Sequence, residues 1–345
     1  MQSVIAALTA ANLPIAPRYK QLGLPRRPYV GLRCPACSAN LGGLPYHALG
    51  KEHEPLECAK CGMILSQAQG IWEALPENRH TYFERFVRDY EAIRKAEGRG
   101  SEDAAFYLAL PFEDRTQRNS WQWMIRARTY KHLVLQIIPA IDANRAHPLT
   151  VLDLGAGNCW LSYRLANEGH RPIAVDLQTN TFDGLGAAVH YRHSLSALFP
   201  RFQAELDRLP FADGQFDAAI FNASFHYSEN CDRTLAEAIR CVREGGTIVI
   251  ADSPSYSTEE SGRQMVEERR KAFQERFGFA SDGLSSCEYL TEETLSALEA
   301  RHDVQWTTHK VWYGLSWACR PLVARLKRRR EPSQFWIYTA QVKLT

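Results

Sequence analysis

The 345-residue chain contains no run of about 18 consecutive apolar residues, the length a helix needs to cross a bilayer. No transmembrane span is expected. Net charge is nearly absent: 41 Lys+Arg stand against 39 Asp+Glu, which leaves +2 at pH 7. Low-complexity tracts and internal repeats are also missing, which excludes a solenoid or a tandem array. No basic residue precedes the mildly apolar stretch from Met1 to Ala16. A secretory signal normally has one, so this stretch reads as a short docking helix. The nine cysteines lack the spacing of a secreted disulfide framework. Four form two close pairs, while Cys159, Cys231, Cys241, Cys287 and Cys319 are scattered. That distribution suggests a reduced, cytoplasmic protein with one metal site.

The small charge excess is uneven. Residues 1–150 carry 19 Lys+Arg against 14 Asp+Glu, and residues 151–345 carry 22 against 25. A half at +5 allows an anionic partner without requiring one. With 45% hydrophobic residues, a chain of this length can bury one large core and hold a smaller module beside it. The pattern divides it into a zinc-ribbon module with an N-terminal extension (1–75), a helical connector or lid (76–148) and an α/β domain (149–345).

The ribbon rests on Cys34-Pro-Ala-Cys37 and Cys58-Ala-Lys-Cys61, a C-x2-C pair repeated after twenty residues. Each pair fits a tight turn whose amides stabilise thiolates, and together the four sulfurs complete a tetrahedral Zn2+ shell. Gly62 follows the second pair, where an unusual backbone angle is often needed. His47 and His53 lie between the pairs and read as loop histidines. A four-thiolate shell leaves no open coordination position, so the zinc is expected to be structural. Substrate recognition is the second role open to the module.

Two helices are expected next. Tyr82, Phe83, Phe86, Val87, Tyr90 and Ile93 recur at helical spacing over 79–98. A second helix runs from Trp121 to about Ile138, capped by Asn119 or Ser120 and stopped by Pro139. The second helix immediately precedes the first α/β strand, so it suits a lid. Arg126 on it is a candidate partner for a carboxylate of the cofactor or of the substrate.

From residue 149 strands and helices alternate, as in an open α/β sheet. Leu149–Leu154 is a buried strand, Gly155-Ala-Gly157 a turn that admits close backbone approach, and Arg171–Asp176 a strand ending in an acid. Ligands in such sheets sit beyond the carboxyl ends of the strands, and an acid there can hold a ribose diol. A nicotinamide-type G-x-G-x-x-G fails, because Trp160 occupies the third small position.

Glu205-Leu-Asp-Arg-Leu-Pro-Phe211, Ala-Asp-Gly-Gln-Phe-Asp217 and Ala-Ala-Ile-Phe-Asn222 decide between cofactors. From about Leu149 to Asp252 the chain resembles the type-11, ubiquinone-methyltransferase-like class of S-adenosylmethionine (SAM)-dependent methyltransferases. The resemblance implies a Rossmann-like seven-stranded sheet whose last two strands, Asp303–Val311 and Gln334–Val342, pair antiparallel. It also implies SAM contacts at Asp153, Gly155, Ala156, Gly157 and Asn158, at Asp176 and Leu177, at Glu205 and Leu206, and at Asn222. Glu205 stands where the family usually has Asp, and Cys159 replaces the third glycine of the first loop. His226 and Tyr227 leave the fourth strand on the loop that faces the transferring methyl group, which makes them the catalytic candidates. His226 could serve as a general base or only shape the cleft.

Two further segments follow. Ser257 and Glu260 form a capping box for a helix to about Phe277. Between the last two strands an additional helix, Leu315–Arg330, places Trp317, Leu322, Val323 and Leu326 on one side. It ends in Lys327-Arg-Arg-Arg330. Solvated helix-end cations are the ordinary reading, and contact with phosphate, nucleic acid or an anionic membrane is the alternative. The expected activity is methyl transfer from SAM to a small or amphipathic metabolite. Ribosomal or transfer RNA is the alternative acceptor, since the order of ribbon and methyltransferase is similar to that of bacterial ribosomal-RNA guanine methyltransferases. A non-catalytic SAM-binding scaffold is the third reading.

Overall fold

The computed structural model describes residues 29–143 and 148–343. The docking helix expected within Met1 to Ala16 lies outside the described residues.

The chain begins with a two-stranded antiparallel ribbon, β1 (Tyr29–Arg33) and β2 (Asn40–Pro45), followed by a short turn of helix, α1 (Tyr46–Leu49). Strands β3 (Leu56–Glu57), β4 (Ile64–Ala68) and β5 (Ile71–Glu73) come next, joined antiparallel. Helix α2 spans Glu77–Ala96, α3 spans Ala104–Ala109 and α4 spans Ser120–His132. The α/β part comprises β6 (Thr150–Leu154), α5 (Trp160–Asn167), β7 (Arg171–Asp176), β8 (Arg201–Gln203), β9 (Phe216–Asn222), α6 (Cys231–Cys241) and β10 (Val242–Ala251). It closes with α7 (Glu259–Phe277), α8 (Glu292–His302), β11 (Thr307–His309), α9 (Leu315–Ala318), α10 (Arg320–Leu326) and β12 (Ile337–Gln341).

One ten-stranded sheet organises the molecule, in the order β11-β12-β10-β9-β6-β7-β8-β5-β4-β3. Its seven strands from β6 onward form the expected Rossmann-like sheet. β6, β7, β8, β9 and β10 run parallel, and β12 is antiparallel to both β10 and β11. The strand order reverses between β6 and β9, where an open α/β sheet places its ligand. The central strands are buried on both faces: every residue of β6 is buried.

The three strands nearest the cysteine pairs continue this sheet, because β5 pairs in parallel with β8, Trp72 opposite Phe202. Trp72 is fully buried, stacks on Phe202 at 5.9 Å, and donates its indole N–H to Leu49 O at 2.9 Å. Arg201 caps the preceding turn through Gln69 O and Gly70 O, both at 3.2 Å. Val30, Leu32, Leu49 and Leu65 join the same hydrophobic core as Leu152, Val175 and Phe221.

Four local expectations are corrected. Pro139 does not end the second lid helix. A π-helical turn over Leu133–Ile137 inserts one residue, and helix resumes over Ile138–Asp142 with Pro139 in its first turn, where a missing N–H costs nothing. The cap of α7 is Thr258, which accepts from Ser261 N at 3.3 Å, while Ser257 bonds Glu331 at 2.6 Å instead. The helix expected over Leu315–Arg330 divides into α9 and α10, because Pro321 starts a new first turn, and it ends at Leu326. Finally, Cys231 and Cys287 do not remain isolated thiols. Tertiary folding brings them together as a disulfide with Cα atoms 6.6 Å apart.

Candidate active site and thiolate cluster

The glycine turn after β6 is a backbone device. Gly155 and Gly157 have φ of +74° and +51°, and a Cβ on Gly155 would overlap Ser224. Cys159 stands where the family has its third glycine, and it adopts a glycine-like φ of +63°. The loop therefore keeps its shape without that glycine, at the cost of a strained, fully buried cysteine. Asp176 at the end of β7 fixes the turn from the far side, accepting from Gly157 N and Gln178 N at 2.8 Å each. Burial pushes the Asp176 carboxyl above its ordinary range. Asp153 accepts from Ser162 N at 3.1 Å and Ser162 Oγ at 2.7 Å, which ties β6 to α5. Burial raises its pKa to about 7. Asn158 is buried and bonds Asp183 Oδ1 at 3.3 Å.

All eleven residues expected to touch the cofactor line one cavity at the carboxyl ends of β6, β7 and β9. They are Asp153, Gly155, Ala156, Gly157, Asn158, Asp176, Leu177, Glu205, Leu206, Asn222 and Arg126. Leu177 packs with Leu75, Phe83 and Leu284 on one side of it. Glu205 has a second engagement that its sequence position did not reveal. Its carboxylate is held by Arg79, with Nε at 2.9 Å from both oxygens and Nη2 at 2.6 Å from Oε2. Arg79 also pairs with Glu229 at 3.2 Å, so this network seats α2 over the cleft. Burial raises the Glu205 pKa and Arg79 opposes the rise.

The greater surprise is the extent of α2. Phe83, Phe86, Tyr90 and Arg94 all face the cavity, and Arg94 forms an ion pair with the buried Asp183. The sequence signal was present as an i, i+3, i+7, i+11 stripe, but it is equally the signal of a helix packed on a core. Arg126 on α4 meets the same cavity. Its guanidinium lies 4.9 Å from the Trp123 ring and forms no ion pair among the described residues. Burial, reinforced by Arg94 and Arg99, lowers its pKa to about 10. A half-buried cation that feels Asp252 only at a distance and makes no ion pair is a ready site for an anion.

The two catalytic candidates separate. Tyr227 lines the cavity, 5.7 Å from Tyr90 and 6.3 Å from Phe86 between ring centroids. His226 turns away from it, with Nδ1 at 3.3 Å from Ser253 Oγ. Burial, with Arg269 and Arg126 nearby, lowers its pKa to about 3. The imidazole is therefore neutral at pH 7 and weakly basic. Behind it Asp252, at the end of β10, accepts from Thr129 Oγ1 at 2.6 Å, and Thr129 meets Tyr313 OH at 2.8 Å. This chain of bonds joins α4, the sheet and the segment before α9.

The cysteine pairs converge at the other end of the sheet. Both turns have the same construction. Ser38 N donates to Cys34 O and Gly62 N to Cys58 O, each at 2.8 Å, and Ser38 and Gly62 both have positive φ. The sulfurs of Cys34, Cys37, Cys58 and Cys61 all lie within 4.8 Å of one another, with the two shortest separations 3.5 and 3.6 Å. Tetrahedral Zn–S bonds of about 2.3 Å place sulfurs about 3.8 Å apart, so the four residues fit a zinc ion. His47 and His53 are not part of the cluster.

Comparison with known proteins agrees with this geometry. Residues 152–250 match the family profile of a methyltransferase domain. The chain carries a methyltransferase domain. Among similar curated proteins is a malonyl acyl-carrier protein O-methyltransferase of Geobacter sulfurreducens, 30% identical over 127 residues, covering 36% of this chain and 46% of that protein. Another is a demethylmenaquinone methyltransferase of Beutenbergia cavernae, 34% identical over 113 residues, covering 32% and 44%. The chain thus spans less than half the length of these curated relatives. Among solved structures, the YcgJ protein of Bacillus subtilis aligns with a TM-score of 0.43 at 15% identity, over 63% of this chain and all of that one. The methyltransferase domain as matched ends at β10 and includes neither α2, nor the thiolate cluster, nor the segment between β11 and β12.

Proposed function

We propose that the protein transfers a methyl group from SAM to a small or amphipathic acceptor, with the four-cysteine site holding a structural zinc ion. The observation that carries this reading is the convergence of the left-handed Gly155–Cys159 loop, Asp176 and the aromatic face of α2 on one cavity. SAM, when bound, supplies an electrophilic methyl carbon. The chain's residues then bind and align. Loop amides receive the methionine end, Asp176 accepts from the ribose hydroxyls, and Leu177 and Leu206 flank the adenine. Glu205 shares its carboxylate between Arg79 and the adenine edge. Arg126 neutralises a carboxylate, that of the methionine moiety or that of the acceptor.

Alignment supplies most of the rate when the acceptor atom is already nucleophilic. Tyr227, Tyr90 and Phe86 enclose the acceptor and exclude water. His226 shapes the loop and does not act as the base, because its lowered basicity and its turn toward Ser253 both oppose proton capture. A small acceptor fits better than a folded RNA, since α2 and α4 roof the cleft and the lining is aromatic. The relatives named for quinone and malonyl-carrier substrates support the same class.

Calorimetry with SAM, followed by a radiolabelled-methyl screen of metabolite and RNA extracts, tests this. One SAM bound per chain and label in a small-molecule fraction are expected. No SAM binding would overturn the reading, and label confined to RNA would move the acceptor to the alternative class.

A further inference from the structure

We propose that the segment between β11 and β12 is a docking surface for an anionic lipid bilayer. The residues of α10 show why. None of them is buried, although Leu322, Val323 and Leu326 lie on one face at i, i+1 and i+4. Leu326 is 76% exposed, Leu322 61%, and Leu315 on α9 75%. Trp312, just before α9, is 63% exposed. A soluble protein has no reason to gather three bare leucines and a tryptophan on one excursion, and such a patch marks an interaction site.

The charge within this segment is of one sign. No Asp or Glu occurs between Asp303 and Glu331, whereas Arg320, Arg325, Lys327, Arg328, Arg329 and Arg330 all do. Arg330 is committed to Glu268 at 2.7 Å, and Arg320 lies over the Trp317 ring at 3.6 Å. Arg325, Lys327, Arg328 and Arg329 make no ion pair among the described residues. Aliphatic anchors rimmed by free cations complement a surface that is anionic outside and apolar inside. A second copy of the chain would present the same cations and be repelled. Single-stranded RNA would use the cations and stack on Trp312, but it would leave the leucines without a purpose.

The patch is firmly seated. Tyr313 is held by Thr129 and by Phe335 O at 2.6 Å, and Trp317 packs on Trp121 of α4 with centroids 6.0 Å apart. Since α4 also brings Arg126 to the cleft, docking sets the cleft roof beside the bilayer. Docking itself is independent of methyl transfer. Only its consequence, an acceptor drawn from the lipid phase, rests on the function proposed above.

Co-sedimentation of the full chain with mixed phosphatidylglycerol–phosphatidylcholine vesicles, and with pure phosphatidylcholine vesicles, tests the inference. Binding is expected on the anionic vesicles and not on the neutral ones. Changing Arg325, Lys327, Arg328 and Arg329 together to Gln should weaken it by about a hundredfold or more. Leu322→Ser with Leu326→Ser should weaken it by about tenfold or more. Because α10 buries no residue, both variants should keep the wild-type melting temperature and SAM affinity, so a loss of vesicle binding is separable from misfolding and from loss of the cofactor site. Equal vesicle binding by either variant, or binding to an RNA oligonucleotide without binding to anionic vesicles, would overturn the proposal.

Discussion

The two ends of the ten-stranded sheet solve the edge problem in opposite ways. At the β3 end, a small antiparallel group carries four converging cysteines and is packed through Trp72, which is fully buried against Phe202. At the β11 end, the chain leaves the sheet after a three-residue strand and presents leucines and cations to solvent before returning as β12. One end has converted its side chains into stability, and the other has kept them free. An edge of a sheet is exposed backbone that must be covered or charged, so the contrast separates a structural edge from an interaction edge. Between the two lies the cleft, where Asp176 holds the glycine turn in shape.

The contrast yields tests of decreasing size. Cys58→Ser should cost the most. About one zinc per chain is expected in the wild type, and the variant should lose it together with several kcal/mol of stability, since metal affinity and folding are coupled in small thiolate modules. Elemental analysis and thermal unfolding read both quantities, and unchanged zinc content would break the assignment. Trp72→Ala should destabilise by about 3–5 kcal/mol, the range for truncating a buried Trp, because the site cannot collapse between two strands. A loss confined to the ribbon, with the rest of the sheet unfolding as in wild type, would show that the two parts are not one cooperative unit.

In the middle of the sheet, Asp176→Ala should lower SAM affinity by about 1.5–3 kcal/mol for each charge-assisted bond lost. It should also loosen the loop, because Asp176 holds Gly157 N. Equal affinity by calorimetry would refute the placement of the ribose. Near neutral pH the dependence of stability on pH is smaller. His226 is neutral in the folded chain down to about pH 3, whereas in the unfolded chain it protonates near its ordinary value. The unfolded state therefore binds the extra proton, and its contribution to stability falls as pH drops from about 6.5 toward 3. His226→Asn should flatten that part of the stability curve, and an unchanged curve would mean that the histidine is solvated. Smallest of all, Leu326→Ser should alter stability by no more than about 0.5 kcal/mol, since the side chain is bare. A large loss there would show that the β11 end is as structural as the β3 end.

Much of this was legible in the residues. Spacing alone identified the thiolate cluster, because C-x2-C pairs bring ligands together locally. Strand polarity put Asp176 beside the glycine turn for a similar reason: consecutive parallel strands end at the same edge. The sequence was silent where the outcome depended on distant partners. Nothing local says that Glu205 is met by Arg79, 126 residues away, or that Cys231 finds Cys287. The stripe of α2 read only as a helix, and its seating over the cleft turned Tyr90 and Arg94 into cavity walls. His226 and Tyr227 are adjacent in sequence and share a loop, yet one faces the cavity and the other Ser253.

The sequence by itself determined the chemistry available: four cysteines at ligand spacing, a turn that admits close backbone approach, an acid at a strand end, and a basic apolar segment between the last two strands. The tertiary structure decided what that chemistry faces. It merged the strands beside the cysteine pairs into the main sheet by pairing β5 with β8, it gave Cys159 the backbone angle of a glycine, and it left Leu322 and Leu326 uncovered. Hydrogen bonding and metal ligation are specified by residue type over short distances, whereas burial is a property of the whole packed chain.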